Sequence, residues 1–395
     1  MKNFIRKIKN YGHYFESHFY SFLFGTPIKR FKVIFVTGTD GKTTTAHFIY
    51  NILVHSGKKA ALLSTTEAKI ADKNYETGLH TTTPSKWDLQ SLLLQAKKDE
   101  CEYLVIEMTS HGIDQHRIVG THADCVVYTN ITNEHLDYFK TIDNLIKTKA
   151  LLMKKSKSVI LNIYDPSFND LTKWADKFNK SVTTYNYRLM KNIVSKEWKN
   201  KFPGNYNLEN AAAAMCVGRY LGIKERIIIN SLEMSLPPDG RYKIINNGLG
   251  LKIIIDFAHT PNALKRLLGA LNTNSKKILV FGSAGNRDKL KRIEMGKIAG
   301  TFADKIVLTA EDPRTEDLDK INSKISEGIE KSEKSLDKDY YIIKDRKEAI
   351  KFAIKHLAKR GDTIIISGKG HEKSMNFNNV EVPWSDEEVV LSLLK

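Results

Sequence analysis

Short apolar runs alternate with helical patterns along most of the chain. From about residue 31 the apolar runs read KVIFV, KAALLS, YLVIEM and DCVVYTNI, and helical patterns cover 43–56 and 85–98. Runs of this length and β-branched content are typical of buried strands. Strands that alternate with helices predict a mostly parallel sheet covered by helices, so we assign an α/β fold.

A second series of apolar runs begins after the turn-rich segment PPDGR at 237–241. The runs LKIIIDF, KKILVFG, KIVLTA, YYIIKD and DTIIISG are separated by helical patterns over 261–271, 288–301, 317–331 and 346–359. A boundary near residue 236 divides the chain into domains of ordinary size. We therefore predict a central domain at 31–236 and a C-terminal α/β domain at 237–395.

The segment 1–30 has a pattern of its own, which predicts an amphipathic helix with a broad aromatic face. Large apolar residues recur at helical spacing at Phe4, Ile8, Tyr11, Phe15, Phe19 and Phe22, beside a basic cluster of Lys2, Arg6, Lys7 and Lys9. Polar residues interrupt the apolar positions too often for a transmembrane span. The helix either packs on the next domain or makes peripheral contact with a membrane or with another copy of the chain.

Composition narrows the class of protein. The 395-residue chain is 41% hydrophobic and carries a formal charge of +17, from lysines scattered through the whole sequence. The sequence has no arginine-rich block or aromatic-interleaved basic stripe, so anionic small substrates or a lysine-rich composition explain the charge better than nucleic acid does. The three cysteines, Cys101, Cys125 and Cys216, are too widely spaced for a structural zinc site and fit a reducing cytoplasm.

The segment VTGTDGKTTT at 36–45 predicts a phosphate-binding loop. A strand, a glycine turn and a following helix form the arrangement in which backbone N–H groups bind phosphates. Lys42 would reach the β- and γ-phosphates of a nucleotide, and the Thr43 hydroxyl would bind Mg²⁺. The segment departs from the Walker A pattern because its first glycine, Gly38, stands only three residues before Gly41. The alternative is a plain glycine turn with a threonine helix cap.

The segments after two further strands carry side chains suited to metal binding. EMTSH begins with Glu107, and a carboxylate at a strand end near a phosphate loop suits Mg²⁺, with a surface carboxylate as the alternative. TNITNEHLDY brings Asn130, His135 and Asp137 into one loop, and Lys149 follows in a helical pattern. An isolated histidine is more often structural than a ligand, but these neighbours favour a ligand.

Four polar segments stand out in the second half of the chain. PGNYNLENAAAA opens a helix with Asn207 and Asn210 nearly on one face, which suits either recognition of a base edge or helix capping. DFAHTP places Asp256 and His259 at a strand end, FGSAGNRD joins a strand to a helix, and GKGHE ends the last strong strand. Each segment alone is weak evidence for a functional site, whereas the combination of these segments in one order along the chain is far more specific.

In this order the segments resemble the Mur ligases, most closely the tripeptide synthetases, which add the third residue of the peptidoglycan stem peptide. The resemblance covers 31–395 and includes HTTTP, EMTSHGIDQHR, TNITNEHLDYF, KTKALL, PPDGRY, IDFAHTPNAL, VFGSAGNRD, TAEDPRTED and SGKGHE. It implies a central P-loop ATPase domain and a Rossmann-like C-terminal domain. It also implies a cytoplasmic, ATP-dependent, ADP-forming ligase that makes an amide through an acyl phosphate.

The resemblance assigns roles to matching positions. Lys42, Glu107, His135 and Lys149 would be catalytic. The implied nucleotide-binding positions are Gly38, Thr39, Asp40, Gly41, Lys42, Thr43, Thr44, Asn207, Asn210, Arg241, Asp256, Asn286 and Arg287; the metal positions are Thr43, Glu107, His135 and Lys149; and the acceptor and amino-acid positions are Thr82, Thr83, Ser110, His111, Arg117, Asp312, Arg314, Gly368 and Glu372. Two Mg²⁺ ions are implied, and Lys149 matches a lysine that family members carry as an anionic carbamate.

Two departures from the family pattern bear on the substrates. Family members place an N-terminal domain that holds the UDP moiety ahead of the phosphate loop, and only about 30 residues precede the first predicted strand here. We therefore expect either that another surface or a partner holds the UDP, or that the acceptor is not a UDP-sugar peptide.

The second departure lies where diaminopimelate-adding members read D-N-P-R and this chain reads Glu311-Asp312-Pro313-Arg314. Arg314 can still bind a distal carboxylate through two hydrogen bonds, which favours diaminopimelate over lysine. Asp312 replaces an amide that can donate by a carboxylate that only accepts, so it would repel a carboxylate and favour an ammonium. We therefore expect diaminopimelate to be the amino acid that is added, with another dibasic or zwitterionic amino acid as the alternative.

Other functions compete with this interpretation. One is a Mur-type ligase that acts on a non-UDP peptide, a pseudomurein-type precursor or a polyamide. Folate-polyglutamate ligases fit less well because GKGHE and EDPR are features of the tripeptide synthetases, and the cysteine count excludes the amidating relative with a four-cysteine zinc ribbon. From a different class, the chain could be a non-catalytic, ATP-dependent binding subunit that docks through its N-terminal helix.

Overall fold

A computed structural model describes residues 2–71, 73–75, 85–271 and 275–394, with side chains from residue 9 onward. The chain forms two compact units. The first comprises residues 1–200 and 205–236, and the second comprises 201–204 and 237–395. Each unit is described separately below.

The first unit alternates strands and helices. Its elements are α1 (Lys2–Leu23), β1 (Lys32–Thr37), α2 (Lys42–His55), β2 (Ala60–Leu63), β3 (Ala68–Ile70), β4 (Lys73–Tyr75), α3 (Lys86–Lys98), β5 (Tyr103–Met108), α4 (Ser110–Asp114), β6 (Ala123–Tyr128), α5 (Leu136–Phe139), α6 (Ile142–Lys154), β7 (Ser156–Asn162), α7 (Phe168–Lys177), β8 (Ser181–Tyr185), α8 (Arg188–Lys191), α9 (Lys196–Lys201), α10 (Asn205–Tyr220) and α11 (Glu225–Met234). A 3₁₀ turn, Pro27–Arg30, precedes β1.

Eight strands form one sheet in the order β4-β3-β2-β5-β1-β6-β7-β8. The strands from β2 to β8 in this order are parallel, and β3 and β4 form an antiparallel edge. β1 lies between β5 and β6, and all its residues after Lys32 are buried. A near-continuous apolar run is expected there because helices cover both faces of a parallel sheet. The carboxyl ends of β5, β1 and β6 therefore meet at one edge.

The second unit is built in the same way. Its elements are β9 (Lys243–Ile245), β10 (Lys252–Asp256), α12 (Pro261–Ala270), β11 (Lys277–Phe281), α13 (Lys291–Phe302), β12 (Lys305–Leu308), α14 (Leu318–Glu330), β13 (Tyr340–Ile342), α15 (Arg346–Phe352), β14 (Thr363–Ser367), β15 (Ser374–Phe377), β16 (Val380–Pro383) and α16 (Asp386–Leu394). A π-helical turn, Ala353–Leu357, continues α15.

Six of these strands form a sheet in the order β13-β12-β11-β14-β10-β9, in which only β9 is antiparallel. β15 and β16 make a separate antiparallel hairpin. Local sequence explains where helices begin: α12 starts with Pro261 at its first position, after the Thr260 side chain accepts a hydrogen bond from the Ala263 N–H. The α/β prediction is confirmed. Within the described residues, no helix has the length and apolar character needed to span a membrane.

Candidate active site

The phosphate loop connects β1 to α2 and depends on two glycines with positive φ angles. Gly38 has a φ of +150°, and a Cβ there would lie 1.9 Å from Thr129 Oγ1. Gly41 has a φ of +81°, and a Cβ there would lie 2.4 Å from Asn210 Oδ1. Side chains other than glycine would collide at both positions. Both glycines are therefore required because Thr129, which follows β6, and Asn210 of α10 lie against the loop.

Residues that follow β6 hold the loop in place. The Thr39 N–H donates to the Asn130 carbonyl at 2.7 Å, and the Asp40 N–H donates to Asn130 Oδ1 at 3.0 Å. Asn130 Nδ2 and Thr129 Oγ1 both donate to the Asp40 carbonyl, at 3.0 and 2.7 Å. The loop is thus shaped by the protein itself, ahead of the first turn of α2, where helix N–H groups favour anions.

Glu107 lies beside the start of α2. It is 2% exposed at the end of β5, in register with Val36 of β1. Glu107 Oε2 accepts hydrogen bonds from Thr43 Oγ1 and from the Thr65 N–H, both at 3.0 Å. A hydroxyl and a carboxylate held together are the hard oxygen ligands that Mg²⁺ takes alongside phosphate and water.

Two lysine side chains donate hydrogen bonds to backbone carbonyls of the phosphate loop. Lys42 Nζ donates to the Thr39 carbonyl at 2.7 Å, and Lys149 Nζ, which α6 carries, donates to the Gly38 carbonyl at 2.7 Å. Lys149 is 1% exposed. Burial, reinforced by the charge of Lys42, lowers the pKa of Lys149 to about 7. A large share of Lys149 is therefore the neutral amine near neutral pH.

Aromatic and imidazole rings gather around His111 in α4. Its ring centroid lies 4.6 Å from that of His135 and 4.5 Å from that of Tyr138. His135 has a φ of 55° and its Nε2 lies 3.3 Å from Glu134 Oε1. Tyr138 donates to Asp114 Oδ2 at 2.7 Å. Among the four predicted metal positions, Thr43 and Glu107 are hydrogen-bonded to each other, and His135 lies in this ring cluster.

No group of three or more His, Cys, Asp or Glu side chains suited to a metal ion occurs in the described part of the chain. Of the predicted acceptor positions, Ser110 is buried at the start of α4, beside His111. Arg117 Nε donates to Gln115 Oε1 at 3.2 Å, and burial lowers the pKa of its guanidinium below the usual value. Thr82 and Thr83 lie outside the described residues.

The asparagines of α10 lie beside the loop. Asn207 and Asn210 are both 5% exposed, and Asn210 Nδ2 donates to Asn207 Oδ1 at 3.4 Å. Asn210 also lies against Gly41, as described above. Both are therefore positioned next to the start of α2, where the sequence places a nucleotide.

In the second unit, Asp256 and Arg241 lie near the ends of neighbouring segments. Asp256 Oδ2 accepts from the Tyr242 N–H and Oδ1 accepts from the Ala258 N–H, both at 2.7 Å. The Arg241 guanidinium lies over the Phe257 ring, 4.4 Å from its centroid. Asp256 thus stabilises the local backbone that carries Arg241.

The segment 311–316 contains a buried group of charges. Asp312 Oδ1 lies 2.8 Å from Lys369 Nζ and also accepts from the Asn376 N–H at 3.0 Å. Lys369 is fully buried and also contacts Glu372 Oε2 at 2.5 Å. Asp312, which we expect to repel a carboxylate and favour an ammonium, is therefore already paired with a buried ammonium of the protein.

The same segment is held to the surrounding loops. A Cβ on Gly368 would lie 2.7 Å from Glu311 Oε2, and burial raises the pKa of Glu311. Arg314 has a φ of 54° and pairs through its backbone with Asn376 and Asn378 in the β15–β16 hairpin. Asn286 Nδ2 donates to Thr315 Oγ1 at 2.6 Å. Asn286, Asp312, Arg314, Gly368 and Glu372 thus lie in neighbouring segments of the second unit, and Arg287 follows Asn286 in the same loop.

Two domain models of one protein family match the chain. The Mur ligase middle domain matches residues 36–218, and the Mur ligase glutamate ligase domain matches residues 240–370. A UDP-N-acetylmuramoyl-L-alanyl-D-glutamate–2,6-diaminopimelate ligase from Caldanaerobacter subterraneus subsp. tengcongensis is 32% identical over 400 residues, which cover 96% of this chain and 80% of the relative. The chain belongs to the Mur ligase family. Members of this family are ATP-dependent, ADP-forming ligases, so the predicted enzyme class is confirmed.

Solved structures support the fold of this Mur ligase. A structure of a UDP-N-acetylmuramoyl-L-alanyl-D-glutamate–2,6-diaminopimelate ligase matches with a TM-score of 0.59 and 28% identity, over 93% of this chain and 78% of that chain. Mycobacterium tuberculosis folylpolyglutamate synthase complexed with ADP has a TM-score of 0.67 at 15% identity, over 88% and 90% of the two chains. At that identity the second likeness concerns the fold alone.

Three residues that shape this Mur ligase's candidate site were absent from the sequence-based assignment. Thr129 holds the phosphate loop, the Thr65 backbone binds Glu107, and Lys369 pairs with Asp312. Lys369 lies in the GKGHE segment that the sequence singled out, and a lysine inside an otherwise recognisable motif is a usable signal. Thr65 acts through its backbone, which no residue pattern reveals.

Proposed function

We propose that this Mur ligase joins a diamino acid of the diaminopimelate type to the carboxylate of a UDP-N-acetylmuramyl peptide, with conversion of ATP to ADP and phosphate. The observation that best supports the proposal is the phosphate loop. There Thr43 donates a hydrogen bond to Glu107, and Lys149 donates one to the Gly38 carbonyl. The name of the 32% identical relative supports the choice of acceptor and amino acid.

Two steps account for the reaction. An acceptor carboxylate oxygen attacks the γ-phosphorus of ATP, the bond to the β–γ bridging oxygen breaks, and ADP leaves. The amino group then attacks the acyl carbon, phosphate leaves with the bonding electrons, and the nitrogen loses a proton as the amide forms. Lys42 would turn from the Thr39 carbonyl to the γ-phosphate, where its charge offsets the negative charge that develops.

Thr43 and Glu107 fit a Mg²⁺ ion, because both offer oxygen atoms next to the phosphate loop. When bound, Mg²⁺ would neutralise phosphate charge during transfer. We assign His135 and Lys149 to a second ion, as the resemblance implies. The adenine would lie against Asn207 and Asn210.

Lys149 is suited to carbamylation. Only a neutral amine attacks CO₂, and burial keeps the pKa of Lys149 at about 7. The nitrogen forms a bond to carbon and releases one proton, so the product carries one negative charge. That charge would face Lys42, whose ammonium already interacts with Lys149 electrostatically.

The remaining assignments concern the two other substrates and the nucleotide. Ser110, His111 and Arg117 would contact the acceptor, and Arg241, Asp256, Asn286 and Arg287 would contact ATP, as the resemblance implies. For the amino acid, Arg314 would offer a guanidinium to a distal carboxylate, and Asp312 would favour an ammonium, as the sequence predicts. Diaminopimelate carries both groups, whereas lysine lacks the distal carboxylate.

The test is phosphate release by the full chain with ATP, Mg²⁺ and a panel of amino acids, using UDP-N-acetylmuramyl-dipeptide as acceptor. Release should require both substrates, should be strongest with diaminopimelate and should be absent in Lys42→Ala. A dipeptide acceptor without UDP provides the comparison. If only that acceptor stimulates release, the substrate is a non-UDP peptide; if neither does, the ligase proposal fails.

A further inference from the structure

The helix α1 turns an aromatic row away from the first unit. Tyr11, Phe15, Phe19 and Phe22 are 69%, 69%, 62% and 80% exposed. Their spacing of three and four residues places them on one face of the helix. Surface helices of globular proteins normally bury such a face, so the exposed row of rings needs a role other than holding α1 in place.

The opposite face holds α1 on the protein, and it is largely polar. Asn10 Nδ2 donates to Asp114 Oδ2 at 2.9 Å, and Glu16 pairs with Lys86. Ser17 and Ser21 are buried between these contacts. Tyr20 and Phe24 add edge contacts to Trp87, with centroid distances of 6.0 and 4.9 Å. The orientation of α1 is therefore set by contacts that do not involve the exposed rings.

Charge decides which surface could cover the rings. The sequence of α1 contains four basic residues, Lys2, Arg6, Lys7 and Lys9, and one acidic residue, Glu16, and the whole chain carries +17. Two copies of so basic a chain repel each other, which disfavours pairing through this face. An anionic surface, by contrast, attracts this basic chain. Aromatic rings offer a large apolar surface, and tyrosine adds a hydroxyl, so these rings suit the boundary between lipid headgroups and acyl chains.

We propose that α1 is a membrane-docking helix that lies in the plane of an anionic bilayer, with Tyr11, Phe15, Phe19 and Phe22 inserted among the headgroups. Helices of this kind insert by roughly 5–10 Å and depend on both apolar area and attraction to anionic lipid. Because Asn10 binds Asp114, which also accepts from Tyr138 in the ring cluster around His111, docking would hold the candidate acceptor site near the membrane surface.

The test uses the full chain and vesicle flotation. Vesicles of phosphatidylcholine with about 30% phosphatidylglycerol are compared with vesicles of phosphatidylcholine alone. The variant Phe15→Ser/Phe19→Ser removes two exposed rings, and Met234→Ser/Val380→Ser is the matched control, since both residues are exposed apolar side chains elsewhere, at 66% and 62%. Thermal melting and sedimentation velocity without vesicles are measured for each protein.

We expect the wild-type chain and the control to float with the anionic vesicles only, and to be released as salt screens the lipid charge. The Phe15→Ser/Phe19→Ser variant should keep its melting temperature and bind at least about tenfold more weakly. Equal binding to neutral vesicles, unchanged binding by this variant, or no binding by the wild-type chain would overturn the proposal. A wild-type dimer that the same variant abolishes would identify a second copy as the occupant instead.

Discussion

The ion pair between Glu316 and Arg292 joins the segment 311–316 to the start of α13, and its removal gives a quantitative test of how this part of the second unit is stabilised. Arg292 Nη1 and Nη2 donate to Glu316 Oε1 and Oε2 at 2.8 and 2.9 Å, and Arg292 is 1% exposed. Arg292 also binds the Ala284 carbonyl, while the Asn286 N–H donates to Glu316. The pair therefore connects the loop after β11 to the segment 311–316.

The expected magnitude follows from the pKa of Glu316, which the hydrogen bonds from Arg292 lower most strongly, to about 2 from an ordinary 4.5. At about 1.4 kcal/mol per pH unit this corresponds to about 3 kcal/mol, which solvent screening and the shares of Lys289 and the Asn286 N–H reduce to about 1–2 kcal/mol for the pair. Because the folded-state pKa is depressed, the contribution is complete above the unfolded pKa and is lost as the pH falls toward 2. Glu316→Gln should therefore lower the free energy of unfolding by about 1–2 kcal/mol at pH 7, where it leaves Arg292 buried without its anionic partner.

Urea denaturation of the wild type and Glu316→Gln, at pH 7 and near pH 3, measures this effect. A double-mutant cycle with Arg292→Met isolates the pair, and Glu327→Gln is the control, because its partner Lys324 is 54% exposed and such pairs contribute less than about 1 kcal/mol. The reasoning is refuted if Glu316→Gln unfolds within about 0.5 kcal/mol of the wild type at pH 7, or if its deficit does not shrink at low pH.

Three further changes test the first unit. Gly41→Ala should abolish nucleotide binding measured by calorimetry, because the new Cβ meets Asn210, whereas Gly57→Ala, also at positive φ but in open space, should keep it. Glu107→Gln should raise the Mg²⁺ concentration for half-maximal rate at least about tenfold with an unchanged circular dichroism spectrum; an unaltered Mg²⁺ dependence would contradict the assignment. Lys149→Met should lose the stimulation by bicarbonate that we expect of the wild type, and the wild-type rate should fall as the pH drops below 7, since the amine is then protonated.

The sheet of the first unit was predictable because its central strands are unmistakable. β1 and β5 are buried along almost their whole length and therefore read as continuous apolar runs. Two edge strands went unnoticed for the opposite reason: β4 reads KNY and β8 reads SVTTY, and both are largely exposed. The buried strands β3 and β7 are also absent from the sequence-based prediction. A central strand that is buried on both faces can be recognised by its apolar composition, whereas an exposed edge strand has almost no such signal in its sequence.

The candidate site was predictable only as far as strand ends reveal it. Sequence reasoning named Glu107 and Lys149 from motifs, but it could not foresee that Lys149 would lie on the Gly38 carbonyl, 111 residues away. The pairing of Asp312 with Lys369 across 57 residues was equally hidden. This pairing gives Asp312 a buried cationic partner. The electrostatic environment of a side chain depends on contacts between segments that are distant in sequence, and the sequence alone does not show these contacts.

The place of β1 between β5 and β6 has a consequence for synthesis on the ribosome. β1 is made first, but its neighbours end only at Met108 and Tyr128. At roughly 5–20 residues per second, the apolar run FKVIFV waits about 5–20 seconds for both partners. During that time Thr129 and Asn130, which later shape the phosphate loop, do not yet exist. The loop is thus among the first parts of the sheet to be translated, but it can be assembled only after residue 130 has been made.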